Sequence, residues 1–152
     1  MAQRIAISPD RHLTRASIGA HTVDEMTQKF ARDPEVGAIV SFVGMVRGDR
    51  HESGVVSAIE FTAHEAMAEQ AIESLVERLS RATPGDTVRA HVEHALGTIE
   101  RGHAPIVVVV GAGHRREAFE LCSSILEALK AEVPIYGREI LDSGDSAWKA
   151  NR

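Results

Sequence analysis

Val107 to Val110 form an unbroken β-branched run, followed by Gly111-Ala112-Gly113 and then by a stretch from Arg115 to Lys130 whose apolar residues recur at helical spacing. β-branched side chains favour extended backbone, close glycines permit a tight turn, and a 3.6-residue period selects a helix, so the segment reads as strand, glycine turn, helix. Arg116 stands where a dinucleotide fingerprint needs its third glycine, which leaves the glycines as turn residues. The turn delivers His114 and Arg115 to the helix N-terminus, where unpaired amides and the positive dipole end favour phosphate or carboxylate. Lys130 falls at the far end of the same helix, roughly 22 Å away at about 1.5 Å per residue. One small ligand cannot touch both ends. The spacing therefore implies an extended substrate or a site shared across a subunit interface, with Arg138 a short way further along the chain.

Other segments carry comparable signals. Arg4 to Ser8 reads as a short strand, and Thr22-Val23-Asp24-Glu25 has the form of a capping box opening a helix that turns Val23, Met26 and Phe30 inward until Asp33-Pro34 ends it. Val36 to Val46 is apolar on both alternating faces and reads as a central strand. The charged loop from Arg47 to Gly54 is a candidate flap. A strand over Val55 to Thr62 follows, then an amphipathic helix over Glu65 to Arg81, closed at Pro84-Gly85. Thr87 to Ala95, Pro105 to Val110 and Ile135 to Leu141 complete the strands, before a polar tail holding Trp148. The order β-α-β-β-α-β suggests a ferredoxin-like or related α+β sheet within a single domain over residues 1–152.

Composition narrows the function. With 152 residues and a formal charge of −5, the chain lacks the basic excess of a nucleic-acid binder, and 4% aromatic content leaves few stacking platforms. Hydrophobic residues at 43% are ordinary for a globular domain, no apolar run is long enough to cross a bilayer, and no secretory signal is evident, so the cytoplasm is expected. The single cysteine, Cys122, lies on the apolar face of its helix and reads as a buried, inert thiol. His91 and His94 point to opposite faces of a strand with no supporting ligand nearby, so no metal site is expected. His12, His21, His51 and His103 read as loop or surface residues. Arg47 closes a buried strand, where a site side chain and a solvated cation are equally open readings.

Taken together, Gly37-Ala38-Ile39-Val40, Phe42-Val43-Gly44-Met45-Val46-Arg47, His114-Arg115 with Ala118-Phe119, Leu129-Lys130, Pro134, Arg138-Glu139 and Trp148-Lys149 resemble the molybdopterin synthase catalytic (large) subunit family. The resemblance implies an α/β-hammerhead-like fold with an additional α+β portion and mixed sheets. It also implies a homodimer in which each protomer binds a small ubiquitin-like sulfur-carrier subunit ending in Gly-Gly, giving a heterotetramer. The implied reaction installs two dithiolene sulfurs on cyclic pyranopterin monophosphate (precursor Z), without a metal or redox cofactor. By the same carry-over Lys130 is the catalytic residue, acting beside the carrier's terminal carbonyl, and Arg47, His114, Arg115 and Arg138 are substrate-binding. Tyr136-Gly137 stands where members usually carry tryptophan-lysine, so a second site lysine is missing from that position. A non-catalytic homologue that binds the carrier or an anionic pterin is the alternative this departure raises.

Overall fold

The structure, a computed structural model, describes residues 3–15 and 18–149. Two five-stranded sheets and three helices make up the described chain. The first sheet joins β1 (Arg4–Ser8), β6 (Thr87–Ala95), β8 (Ile106–Ala112) and β3 (Ala38–Gly44) in that order, with β2 (Leu13–Thr14) also pairing β6. It is mixed: β1 and β2 run parallel to β6, and the other pairs are antiparallel. The second sheet is antiparallel and places β5 (Gly54–Ala63) between β9 (Ile135–Leu141) and β7 (Gly97–Glu100), with β4 (Arg50–His51) and β10 (Ser146–Trp148) at its margins.

The valine run explains the layering. Every residue of β8 is buried. Val108 and Val110 enter the main core with Ile72 of α2 (Glu65–Ala82) and Ile125 of α3 (Arg115–Glu132), while Val107 and Val109 face Met26 and Phe30 of α1 (Ala20–Ala31). Fully burying a valine contributes about 1.5–3 kcal/mol, so a helix layer on each face follows from the strand's composition. The main core also takes in Val56, Ile59 and Phe61 of β5 and Leu141 of β9, so both sheets share it. This two-sheet arrangement agrees with the α+β class that the family resemblance implies.

Several local expectations change. The Val36 to Val46 strand is shorter, Ala38–Gly44, and lies at the sheet's edge, with β8 as its one partner among the described residues; apolar alternation reports covered faces, and it is silent on hydrogen-bond neighbours. The ferredoxin-like order resolves into two sheets because β9 pairs with β5 instead of joining the first sheet. Gly111 and Ala112 continue β8, so the turn is confined to Gly113 and His114. Helix α1 starts two residues before the expected cap, with Gly19 as N-cap; Thr22 is buried, and its backbone N–H bonds to Gly19 O. His12, expected at the surface, is fully buried, with Nδ1 on Val92 O at 2.9 Å and Nε2 on Glu73 at 3.0 Å. The loop after Arg47 is tied down as a short hairpin, since β4 pairs with β5 and Val56 N donates to Asp49 O at 2.8 Å.

Candidate active site

A cavity of about 700 Å³ opens where the two sheets and the end of α3 meet. One wall is the end of β3 and the segment after it, from Phe42 to Arg47. A second is the inner face of the second sheet, where Ile59 lies opposite Glu139 and Phe61 opposite Gly137. Alternation along β5 and β9 puts these residues on one face. The last turn of α3 closes the third side with Leu129 and Lys130.

Two of the five expected site residues, Arg47 and Lys130, line this cavity together. They come from positions 83 apart in sequence, joined because β3 and α3 both pack on β8. His114 and Arg115 do not line it; they are exposed at the opposite end of α3, as the helix length requires. Arg138 projects from the other face of β9, where Nη2 donates to Glu60 Oε1 at 2.9 Å.

The cavity's electrostatics are mixed. Arg47 Nε donates to Asp49 Oδ1 at 2.5 Å, and this hydrogen bond is the main reason the Asp49 carboxyl is held below the usual carboxylate range. The charges of Arg47, Lys149 and His51 reinforce it. The same pairing raises the Arg47 guanidinium further above its ordinary value. Glu139 meets His51 at 3.6 Å. His94 lies edge-on to the Phe61 ring at 5.1 Å, and burial lowers its pKa, disfavouring the charged imidazole against the apolar wall.

Sequence reasoning missed Asp49, His94, Glu139 and Lys149 as cavity residues. The available signals were Asp49 two places beyond Arg47, and a lysine directly after Trp148. His91 does face away from His94, into a chain from Ser8 Oγ at 2.7 Å to Glu93 Oε2 at 2.9 Å on the α1 side of the sheet. That chain lies outside the cavity. Cys122 is buried, and its thiol is pushed up to about 11 by desolvation, as an inert core thiol should be. Among the described residues no cluster of three metal-ligating side chains occurs, and no helix is long and apolar enough to cross a membrane.

Fold and site together define a class: a two-sheet α+β protein whose open cavity brings together charged side chains from separate elements. Residues 16–132 match the family model described as MoaE protein. The chain belongs to the MoaE family, the catalytic subunits of molybdopterin synthase. Its relatives include the molybdopterin synthase catalytic subunit of Thermoplasma volcanium, 36% identical over 118 residues, covering 77% of this chain and 83% of that protein. For other relatives, such as that of Oryza sativa, the share of the relative's length falls to 61%. A molybdopterin synthase structure from Staphylococcus aureus shares the fold at a TM-score of 0.80 and 22% identity, covering 94% of this chain and 98% of that one. So does a chain in the complex of subunits 1 and 2 of molybdopterin-converting factor from Helicobacter pylori, with a TM-score of 0.75, 19% identity and coverage of 95% and 92%.

Proposed function

We propose that this chain transfers sulfur from a thiocarboxylated, ubiquitin-like carrier to precursor Z, forming the dithiolene of molybdopterin. The observation that carries the reading is the meeting of Arg47 and Lys130 on one cavity with an apolar floor of Ile59 and Phe61. A slender Gly-Gly tail and a pterin both suit such a space. Arg47 is the phosphate ligand, because a guanidinium presents two parallel donors to an oxyanion. Lys130 stands beside the tail's terminal carbonyl, where an ammonium steadies the thiocarboxylate and the oxyanion that forms as water adds to the acyl carbon, before the C–S bond breaks and leaves the carrier a carboxylate.

His114 and Arg115 act in the same reaction from a second protomer. Their distance from Lys130 along one helix excludes a shared small ligand within one chain, and a homodimer removes that obstacle. Arg138, on the outer face of β9 and paired with Glu60, is assigned to substrate binding. The carrier is the second kind of subunit, a reading that the two-subunit Helicobacter pylori complex supports, and two protomers with two carriers would make a heterotetramer.

Gly137 favours one competing reading, a homologue that binds carrier or pterin without turnover. Reconstitution separates them. The purified chain, mixed with thiocarboxylated carrier and precursor Z, is expected to yield the dithiolene product. Tight carrier binding with no product would leave the binding protein as the correct account.

A further inference from the structure

Gly137 deprives the cavity of an amine on β9, and the neighbouring strand brings one alongside. The N–H of Lys149, the residue after β10, donates to Gly137 O at 2.7 Å. This continues the ladder in which Ala147 faces Glu139 and Trp148 faces Arg138. Directly opposed residues of an antiparallel pair project to the same side, with Cβ positions about 4.5–5.5 Å apart. Lys149 therefore occupies the side that a residue at 137 would use, and that side is the cavity wall, since Phe61, Gly137, Glu139 and Lys149 all line it together with Lys130.

The surroundings of Gly137 leave a side chain little space. A Cβ there would meet Ile59 Cγ2 at 3.1 Å and Phe61 Cε1 at 3.2 Å, tighter than ordinary van der Waals contact. Phe61 is itself braced by the His94 ring. The charge of Lys149 is felt within the site, because it helps to hold the Asp49 carboxyl in its ionised form. A cation at the margin of an open cavity, across from a glycine, is well placed to meet an entering anion.

We infer that Lys149 supplies the ammonium that Gly137 cannot, binding an anionic group of the reactants: the substrate phosphate or the carrier's terminal thiocarboxylate. The inference rests on the sulfur-transfer reading above and adds a substrate-binding residue to it. A merely solvated lysine after the last strand would leave both reactants' affinities untouched.

The test compares the full chain with Lys149→Ala and Lys149→Arg. Each protein is titrated in separate arms with precursor Z and with carrier ending in its ordinary Gly-Gly carboxylate, then assayed for dithiolene formation. Lys149→Ala should weaken one arm by roughly tenfold or more, the scale of a lost charge-assisted hydrogen bond, and Lys149→Arg should retain most of the affinity. The arm that weakens identifies the anion. Melting temperatures should be unchanged, because Lys149 is exposed. Binding without product by the unaltered chain would overturn the transfer reading while the titrations still decide the role of Lys149. Equal affinities for the unaltered chain and Lys149→Ala in both arms would overturn the inference, as would failure of the unaltered chain to bind either reactant.

Discussion

Arg47 grips Asp49 with both arms of its guanidinium, Nε to Oδ1 at 2.5 Å and Nη2 to Oδ2 at 3.3 Å. A carboxylate thus occupies the fork that a phosphate would need. The pair is exposed to solvent, so the exchange is a weak competition. Asp49→Asn is expected to lower KM for precursor Z by roughly two- to fivefold with kcat nearly unchanged. Steady-state kinetics check this, and a higher KM would mean that Asp49 helps to hold the substrate.

Lys130 is exposed in the last turn of α3, where a cation also complements the negative dipole end. Lys130→Ala should reduce the rate of sulfur transfer by about a hundredfold to a thousandfold, on the scale of removing one group that stabilises a developing oxyanion. The loss of stability should be small, about 0.3–1 kcal/mol from the helix-end charge. A large drop in melting temperature would mark a structural lysine instead.

His94 gives a pH dependence with a definite sign. Its folded pKa is lowered by burial below the ordinary 6.5. The unfolded chain therefore binds a proton that the folded chain refuses, so the stability contribution is intact above about 6.5 and is lost as pH falls from there toward the folded value. A proton NMR titration should find the His94 midpoint below 6.5, and denaturant melts should show a shallower acid decline in His94→Gln. A midpoint at or above 6.5 would contradict the burial.

Gly37 and Gly113 approach each other at the start of α3. A Cβ on Gly37 would lie 2.2 Å from Gly113 O, whereas a Cβ on Gly113 would find its nearest neighbour, Glu35 O, at 3.9 Å. Gly37→Ala should cost about 1–3 kcal/mol by overpacking against fixed backbone, and should displace the His114 and Arg115 amide resonances. Gly113→Ala should be nearly neutral by comparison. Similar melts for the two variants would refute the asymmetry.

The sequence carried the strongest local signals faithfully. The strands Thr87–Ala95 and Ile135–Leu141 and the start of α2 at Glu65 match their expected positions, because β-branched content and helical spacing are properties of contiguous residues. Strand partnership is not such a property, so apolar alternation makes β3 look central although it is an edge, and element order alone suggests one sheet where two exist. Short strands such as Gly97–Glu100 and Ser146–Trp148 carry too few residues to show a period. Arg47 and Lys130 were legible as site cations through the family pattern. Asp49 and Lys149 were not, since their relevance comes from a hairpin and a cross-strand bond that only the folded chain displays.

The central claim is transfer of sulfur from carrier to pterin in the cavity shared by Arg47 and Lys130. A carrier whose terminal thiocarboxylate bears heavy sulfur tests it most directly, with mass spectrometry of both products. The account predicts a pterin that gains two heavy sulfurs and a carrier left with an ordinary carboxylate, both changes slowed by about a hundredfold to a thousandfold in Lys130→Ala. A carrier that binds the chain yet keeps its label, with the pterin unchanged, would contradict it.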